Sequence, residues 1–303
     1  MRISIALAVY NGGQYLPLLL ESLRHQDTLP YELVIVDDCS TDNSWDIVSS
    51  IPSNLFPVRC YKNDTNQGVI YTFKKLITLC KGDYIAFCDQ DDIWENHKIS
   101  ISAEKMLATE NKHPNTPIAI FTDLATIDQA GNKLQASFFQ HFNIQPHDLS
   151  FLDILFDNVV TGCTVMVNKL MVNKLHDMPM DVLMHDHWVA LIVYSFGKFD
   201  VCYSPTILYR VHGSSVTNKD KKNKIQLFQF YLKSHKGLFI KKIAQGEAFL
   251  KVYNHLLTDA DKATLSFFIK LKNTSVLKQV FTRRVSRFHK PSSIYKIYIG
   301  NGK

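Results

Sequence analysis

Three carboxylates fall within four positions in the segment 88–94, directly after a short apolar run. They belong to Asp89, Asp91 and Asp92. Carboxylates this close repel one another, so ionising all three costs free energy that a bound divalent cation relieves. Oxygen ligands of this kind suit Mg²⁺ or Mn²⁺, which typically keeps water and substrate phosphate among its other ligands. The segment does not match an EF-hand loop, and a solvated acidic turn is its alternative interpretation.

A second pair of carboxylates, Asp37 and Asp38, ends another apolar run. A carboxylate at such a position can accept hydrogen bonds from a base N–H or from ribose hydroxyls. Tyr10 follows the first apolar run and offers an aromatic surface to a base. Helix capping and core packing are the alternative roles for these residues.

The run His185-Asp186-His187-Trp188 places a carboxylate at the start of a predicted helix. We expect Asp186 to be exposed there, with Trp188 packed beside it, and such a carboxylate can act as a general base. An N-cap aspartate is the alternative. Neighbouring histidines on a helix do not point at one ion, so this run does not indicate a metal site.

Two cationic or titratable side chains, Arg210 and His212, follow a predicted strand near the end of the same part of the chain. Either can neutralise a diphosphate leaving group. Single residues of this type are more often structural.

The elements that must position these residues follow from hydrophobic patterning. Short apolar runs alternate with segments of helical spacing, which predicts a mostly parallel sheet with helices on both faces. Ligands bind such sheets at the carboxyl ends of the strands, so the polar clusters should meet at one edge. Neither GxGxxG nor GxxxxGK[ST] occurs, which disfavours the usual dinucleotide and P-loop sites. The predicted strands of this half are residues 3–9, 33–36, 58–61 and 84–88.

The charge distribution divides the chain. Residues 1–215 carry 15 Lys and Arg against 24 Asp and Glu, a balance of −9, whereas residues 216–303 carry 19 against 4, a balance of +15. An acidic body with a basic end argues against a nucleic-acid binder. We therefore predict an acidic domain over 1–215, followed by a basic helical extension over 216–303. That extension is either a solvated appendage or a contact with anionic lipid.

The six cysteines form no CxxC pair, and several lie in apolar runs. This pattern is typical of reduced, buried cysteines in a cytosolic protein and argues against a structural zinc site.

Taken together, the motifs resemble family 2 of the inverting glycosyltransferases, which have the GT-A fold. The resemblance implies that residues 1–215 form the catalytic domain, with a nucleotide-sugar half (1–112) and an acceptor half (113–215). Any one motif is weak, but the ordered set over residues 1–217 is specific, and it is similar to the rhamnosyltransferase-like branch. The matching segments are 8–11, 34–42, 66–68, 88–94, 158–164, 185–188 and 209–213.

The resemblance implies a role for each matching position. The nucleotide sugar would be held by Ala8, Tyr10, Asn11, Asp38, Asn66, Gly68, Asp89, Gln90, Arg210 and His212. Asp91, with Asp89, would coordinate the Mn²⁺ or Mg²⁺ that bridges the diphosphate. The acceptor side would be formed by Asp92, Trp94, Gly162, Cys163, His185 and Trp188. Asp186 would deprotonate the acceptor hydroxyl.

The implied reaction is one displacement that inverts the sugar C1. The branch favours dTDP-L-rhamnose as donor, with UDP-hexoses and UDP-N-acetylhexosamines as alternatives. The implied acceptor is a bacterial surface glycan or a lipid-linked oligosaccharide (O-antigen, capsule or lipooligosaccharide), reached at the inner face of the cytoplasmic membrane.

Two other classes compete with this interpretation. A non-catalytic sugar-nucleotide-binding module would lack the metal or base carboxylates, which are all present here. A nucleotidyltransferase would need a glycine-rich loop with Lys or Arg near its N-terminus, and segment 11–14 contains no cation.

Overall fold

In a computed structural model, the protein is built around a nine-stranded mixed sheet flanked by helices. The structure describes residues 1–211 and 224–274, with the backbone alone for 224–236. The strands are β1 Ile3–Val9, β2 Glu32–Asp37, β3 Val58–Lys62, β4 Tyr84–Asp89, β5 Ile93–Trp94, β6 Ile118–Ile127, β7 Lys133–Gln135, β8 Met166–Asn168 and β9 Lys198–Arg210. The helices are α1 Leu16–Arg24, α2 Ser44–Ser49, α3 Val69–Leu79, α4 Lys98–Lys112, α5 Phe138–Phe142, α6 Phe151–Phe156, α7 Lys169–His176, α8 His185–Ser195, α9 Lys224–Tyr253 and α10 Asp259–Lys270.

The first half of the sheet is parallel, in the order β3-β2-β1-β4. Helices cover both faces of such a sheet, so its strands read as nearly continuous apolar runs rather than as alternating ones. β1 and β2 are buried along almost their whole length. The predicted strand–helix alternation is therefore confirmed in this half.

The second half of the sheet is mixed. β8 pairs antiparallel with β4 and β6, the long strands β6 and β9 run parallel, and β5 pairs antiparallel with β9. The residues just after β4 are thereby brought against the end of β9. This half completes a mixed sheet of nine strands.

Three short elements were not predicted: α5, α7 and β5. Each is too brief for a periodic signal, and local hydrogen bonds define the two helices. The side chain of Ser137 accepts a hydrogen bond from Gln140 N at the start of α5, and that of Asn168 accepts one from Met171 N at the start of α7. Such N-caps are visible in a sequence only as single Ser or Asn residues.

The described end of the chain packs on the domain that contains the sheet. The predicted helical extension contains α9, one continuous helix. Its side chains Ile243, Phe249 and Tyr253 are buried in the same core as β1 and α8, as are Leu265 and Phe268 of α10. The expectation of a solvated appendage is therefore wrong for residues 237–274, because these helices bury large aromatic side chains.

Among the residues that the structure describes, no helix is both long enough and apolar enough to span a bilayer.

Candidate functional site

The carboxyl ends of β1, β2 and β4 lie side by side. Val9 of β1 is in register with Asp37 of β2, and Ala8 is in register with Asp89 of β4. Asp38 then donates its backbone N–H to Val9 O at 2.7 Å. The predicted convergence of polar residues at this sheet edge is thus formed by strand register.

Asp38 organises the loop that leads into α3. Its Oδ1 accepts hydrogen bonds from Asn63 Nδ2 (2.7 Å) and Gln67 N (2.8 Å), and its Oδ2 accepts one from Gly68 N at 2.8 Å. Asn66 Oδ1 also accepts from Gly68 N at 3.1 Å. Gly68 has a φ of 83°, which L side chains rarely adopt, so this turn needs glycine. Oδ2 keeps one lone pair for a ligand.

Gln90 and Asn11 tie neighbouring loops together. Gln90 Oε1 accepts from Tyr10 N at 2.7 Å, and its Nε2 donates to Tyr10 O at 2.8 Å. The Asn11 side chain accepts from Thr41 N at 2.8 Å. These two side chains are occupied with protein contacts, whereas the Tyr10 ring is 40% exposed beside them. Tyr10 therefore offers the free aromatic surface at this edge.

The acidic loop, residues 89–92, brings three carboxylates close together. Asp89 is half-buried, and burial together with the charges of Asp91 and Asp186 raises its pKa to about 7. Asp92 is buried, and the pKa of its carboxyl is raised well above the usual range by burial and by the charges of Asp91 and Asp89. Because a divalent cation would relieve this repulsion, the donor set fits Mg²⁺ or Mn²⁺.

Asp186 lies in the first turn of α8 but is 1% exposed, so the expectation of an exposed carboxylate is wrong. Its Oδ1 accepts from Asn158 Nδ2 and its Oδ2 from Gly162 N, both at 3.0 Å. The segment before β8 folds over the carboxylate and fixes its orientation. Its charge also raises the pKa of Asp89, so the two carboxylates are neighbours.

The turn Gly162–Thr164 lies against the start of α8. A Cβ on Gly162 would come within 3.0 Å of His185 Nε2, so only glycine fits without a shift. Cys163 is fully buried, and burial and the charges of Asp92 and Asp89 raise its pKa. This residue lies beneath the site rather than on an acceptor surface.

Three rings that were expected to form the acceptor side are instead buried in the protein interior. Trp188 is fully buried, with its ring 5.2 Å from Phe249. His185 stacks on Phe73 at 3.8 Å, and burial lowers its pKa to about 3. Trp94 is buried too. Their apolar faces support α8 and the acidic loop, so they position the site without lining it.

Arg210 fastens the acidic loop from the side. Its Nε donates to Asp91 O at 3.0 Å, and its backbone N–H donates to Asp92 Oδ1 at 3.2 Å. Its Nη1 donates to Asp128 O at 3.0 Å, and its guanidinium lies 4.8 Å from the centre of the Tyr15 ring. His212, the other predicted diphosphate contact, lies outside the described residues.

Lys98 is a buried cation that sequence reasoning missed. Its ammonium lies 4.6 Å from the centre of the Trp94 ring and 3.4 Å from Thr164 O. Burial lowers its pKa to about 8, against the opposing effect of the nearby Cys163 and Asp92 groups. In the sequence this residue is only a lysine at the start of a helix, and such a lysine is normally exposed to solvent.

Comparisons with known proteins agree with this architecture. The model described as glycosyl transferase family 2 matches residues 4–120. An uncharacterized glycosyltransferase of Haemophilus influenzae is 26% identical over 288 residues, covering 91% of this chain and 92% of that protein. The putative teichuronic acid biosynthesis glycosyltransferase TuaG of Bacillus subtilis is 26% identical over 231 residues, covering 75% and 86%.

A similarity of higher identity over a shorter segment is found with WfaP of Escherichia coli, a UDP-Glc:alpha-D-GlcNAc-diphosphoundecaprenol beta-1,3-glucosyltransferase. It is 37% identical over 98 residues, covering 32% of this chain and 38% of that protein. Among solved structures, S. aureus TarS 1–349 in complex with UDP superposes with a TM-score of 0.59 at 18% identity, covering 93% of this chain and 75% of that one.

The fold and the acidic site at its strand ends define a GT-A protein. Residues 4–120 match the glycosyl transferase family 2 model, and proteins described as glycosyltransferases are similar to this chain over most of its length.

Proposed function

We propose that the protein is an inverting, cation-dependent glycosyltransferase that moves a hexose from a nucleoside diphosphate to a hydroxyl of a bacterial glycan. The observation that carries the proposal is that the charges of Asp91 and Asp186 both act on the Asp89 carboxyl. Asp89 ends β4 and Asp91 follows it, whereas Asp186 lies on α8. Donor and acceptor chemistry can therefore share one site.

In this proposal the nucleotide lies over the ends of β1 and β2. The Tyr10 ring packs against the base, and the remaining lone pair of Asp38 Oδ2 accepts a base N–H. The segments around Ala8, Asn11, Asn66, Gly68 and Gln90 hold the loops that frame this pocket. Thymine and uracil both carry an N–H that this arrangement can bind.

Asp91 and Asp89 hold the divalent cation, which stabilises the negative charge on the leaving diphosphate when bound. Asp92 lies below them, and Arg210 fixes the loop through the Asp91 carbonyl. The Nη2 atom of the guanidinium, with its two N–H groups, has no hydrogen-bond partner among the described residues. We infer that this group, with His212, faces the diphosphate.

Asp186 removes the proton of the acceptor hydroxyl as that oxygen attacks the sugar C1. Its two carboxylate oxygens are oriented by the hydrogen bonds that they accept from Asn158 Nδ2 and Gly162 N. One carboxylate suffices, because a single displacement inverts C1 without a covalent intermediate.

Two donor classes follow from different observations. The motifs of the rhamnosyltransferase-like branch favour dTDP-L-rhamnose. The likeness to WfaP, whose name gives UDP-Glc, and to TarS, solved with UDP and UDP-GlcNAc, favours a UDP-hexose or UDP-N-acetylhexosamine. The names of WfaP and TuaG also support a lipid-linked or cell-wall glycan as acceptor.

We also propose that the basic end of the chain contacts anionic lipid at the inner face of the cytoplasmic membrane. Residues 275–303 contain seven Lys and Arg and no Asp or Glu. Such a segment is attracted to anionic lipid headgroups. Its aromatic residues, Phe281, Phe288, Tyr295 and Tyr298, suit the interfacial zone.

The test is a panel of dTDP- and UDP-sugars, measured for donor binding and for release of the nucleoside diphosphate with Mn²⁺. We expect Asp186→Asn to lower turnover about 10²- to 10⁴-fold, because the general base is lost, while donor affinity stays unchanged. Asp181→Asn, an exposed carboxylate before α8, is the matched control. Unchanged turnover in Asp186→Asn would remove the base from the proposal, and release of pyrophosphate would indicate a nucleotidyltransferase.

A further inference from the structure

Helix α9 turns one buried stripe toward the chain segments that surround Asp186. The stripe consists of four residues at intervals of three or four positions, which share one face of a helix: Lys242, Gln245, Phe249 and Tyr253. None of the four is more than 5% exposed. A buried lysine and a buried glutamine are unusual on a helix, and each needs a hydrogen-bond partner. Both find their partners in the segments on either side of the carboxylate.

Lys242 binds the chain directly before the residue that orients the carboxylate. Its Nζ forms an ion pair with Asp157 Oδ1 at 2.9 Å and also donates to Phe156 O. The next residue along the chain, Asn158, donates from Nδ2 to Asp186 Oδ1 at 3.0 Å. The residue that α9 holds and the residue that holds the carboxylate are therefore neighbours in the chain.

Gln245 binds the chain at the entrance to α8. Its Oε1 accepts the backbone N–H of Leu183 at 2.8 Å. Leu183 lies two residues before His185, the first residue of α8, so this hydrogen bond fixes the chain where the helix begins. Asp186 is in that first turn. A displacement of the turn by about 1.5 Å, the rise of one helical residue, would break the hydrogen bonds that the carboxylate accepts at 3.0 Å.

The aromatic part of the stripe packs against the same turn of α8. Trp188, two residues after Asp186, has its ring centre 5.2 Å from that of Phe249 and 5.9 Å from that of Tyr253. Apolar contacts hold the two helices together but have no preferred direction, whereas hydrogen bonds do. The orientation of the carboxylate relative to α9 is therefore fixed by the two polar residues of the stripe.

We propose that Lys242 and Gln245 are positioning residues, through which α9 holds the Asp186 carboxylate in the orientation that the reaction needs. A general base must lie within hydrogen-bond reach of the proton that it removes, and a misplacement of about 1 Å can cost about 10²-fold in rate. The proposed donor contacts are instead held by hydrogen bonds among the ends of β1, β2 and β4. The two residues therefore affect turnover rather than donor affinity. The effect on turnover rests on the proposed function, whereas the effect on the carboxylate does not.

Nuclear magnetic resonance can observe the carboxylate without any turnover. Thr161 and Gly162 form the single Thr–Gly pair of the sequence. Labelling the threonine carbonyl carbon and the glycine nitrogen of the full-length protein therefore isolates one amide signal, that of Gly162, whose N–H donates to Asp186 Oδ2. Asp186→Asn removes the charge of the acceptor and gives the reference shift of this signal.

Two variants of α9 should move the same signal. Gln245→Met keeps the length of the side chain but removes the acceptor of the Leu183 N–H. Lys242→Met combined with Asp157→Asn removes the ion pair without leaving a buried charge. Glu247→Gln, at an exposed position of α9, is the control and should leave the signal in place. A Gly162 signal that stays at its wild-type position in Gln245→Met overturns the proposal.

The kinetic test measures release of the nucleoside diphosphate with Mn²⁺. Gln245→Met should lower kcat at least about tenfold and leave the donor KM within about twofold of the wild type. In the Asp186→Asn background it should lower kcat no further, because the base is already lost. An equal further loss in that background would show a general structural effect and overturn the positioning role. If no donor supports turnover while the Gly162 signal still moves in Gln245→Met, the proposed function is wrong and the hold of α9 on the carboxylate remains.

Discussion

At the scale of single residues, many predicted site residues form hydrogen bonds within the protein rather than face solvent. Asp38, Gln90 and Asn11 hydrogen-bond to neighbouring loops, and Arg210 crosses from β9 to the acidic loop. Motif matching identifies such residues but cannot tell a ligand contact from a loop contact, because both need the same polar atom.

The loop role of Asp38 gives a testable expectation. Asp38→Ala leaves three donors, on Asn63, Gln67 and Gly68, without their acceptor, so stability should fall by about 2 kcal/mol. Nucleotide affinity should fall as well, since the base loses its acceptor. Urea denaturation and calorimetric titration with UDP and dTDP measure the two effects. Asp64→Ala, an exposed neighbour, is the control, and equal stability of both variants would contradict the loop role.

Burial of His185 predicts a pH dependence of stability. Its folded-state pKa of about 3 lies below the ordinary 6.5, so the unfolded chain takes up a proton first as the pH falls. This contribution is present above pH 6.5 and is lost toward acid pH, at about 1.4 kcal/mol per pH unit.

The measurement compares urea unfolding of the wild type and His185→Leu from pH 6.5 downward. The fall in unfolding free energy toward acid pH should be smaller in His185→Leu than in the wild type. The raised pKa values of Asp89 and Asp92 have the opposite effect on stability, and this effect cancels because it is the same in both proteins. His255→Leu, at an exposed position, should keep the wild-type slope. Parallel curves for the wild type and His185→Leu would show that this imidazole titrates normally.

At the scale of elements, α9 supports the helix that carries the proposed base. Lys242 forms a buried ion pair with Asp157 at 2.9 Å and also donates to Phe156 O. Gln245 accepts the backbone N–H of Leu183, just before α8. The sequence showed an apolar helix here, but hydrophobic periodicity does not say which surface a helix covers.

The buried pair can be tested by a double-variant cycle. Lys242→Met should destabilise the protein by about 3 to 5 kcal/mol, because it leaves the Asp157 carboxylate buried without its cation. Adding Asp157→Asn should cost less than the sum of the two single variants. Lys241→Met, on the exposed side of α9, is the control. Strict additivity in denaturant titrations would mean that the pair is not coupled.

At the scale of the whole molecule, the sequence predicted the parallel half nearly strand for strand. Its apolar runs are long, and the carboxylates that follow them mark the strand ends. The approach of Cys163 to Asp92 could not be predicted, since the two meet only through the pairing of β8 with β4. The packing of α9 and α10 was not predicted, because the many cations of this region suggested exposed helices. The aromatic residues that these helices bury are spread among those cations.

Truncation separates the structural part of the extension from the basic end. A chain ending at residue 274 keeps α9 and α10 and should unfold cooperatively near the wild-type temperature, while its binding to anionic vesicles falls sharply. A chain ending at residue 223 loses the aromatic contacts of α9 and should not fold. Vesicle co-sedimentation with anionic and neutral lipid and circular dichroism melting measure these outcomes. Full vesicle binding by the 274-residue chain would exclude the basic end as the lipid contact.

The position of Arg210 has a consequence for how the protein is made. Its hydrogen bonds to Asp91 and Asp92 join residues 119 and 118 positions apart. Contacts of such long sequence separation form slowly and close large loops. As the chain leaves the ribosome, the parallel half is complete long before Arg210 is synthesised. The acidic loop thus gains these hydrogen bonds late in synthesis, and the order of translation sets when it reaches its final form.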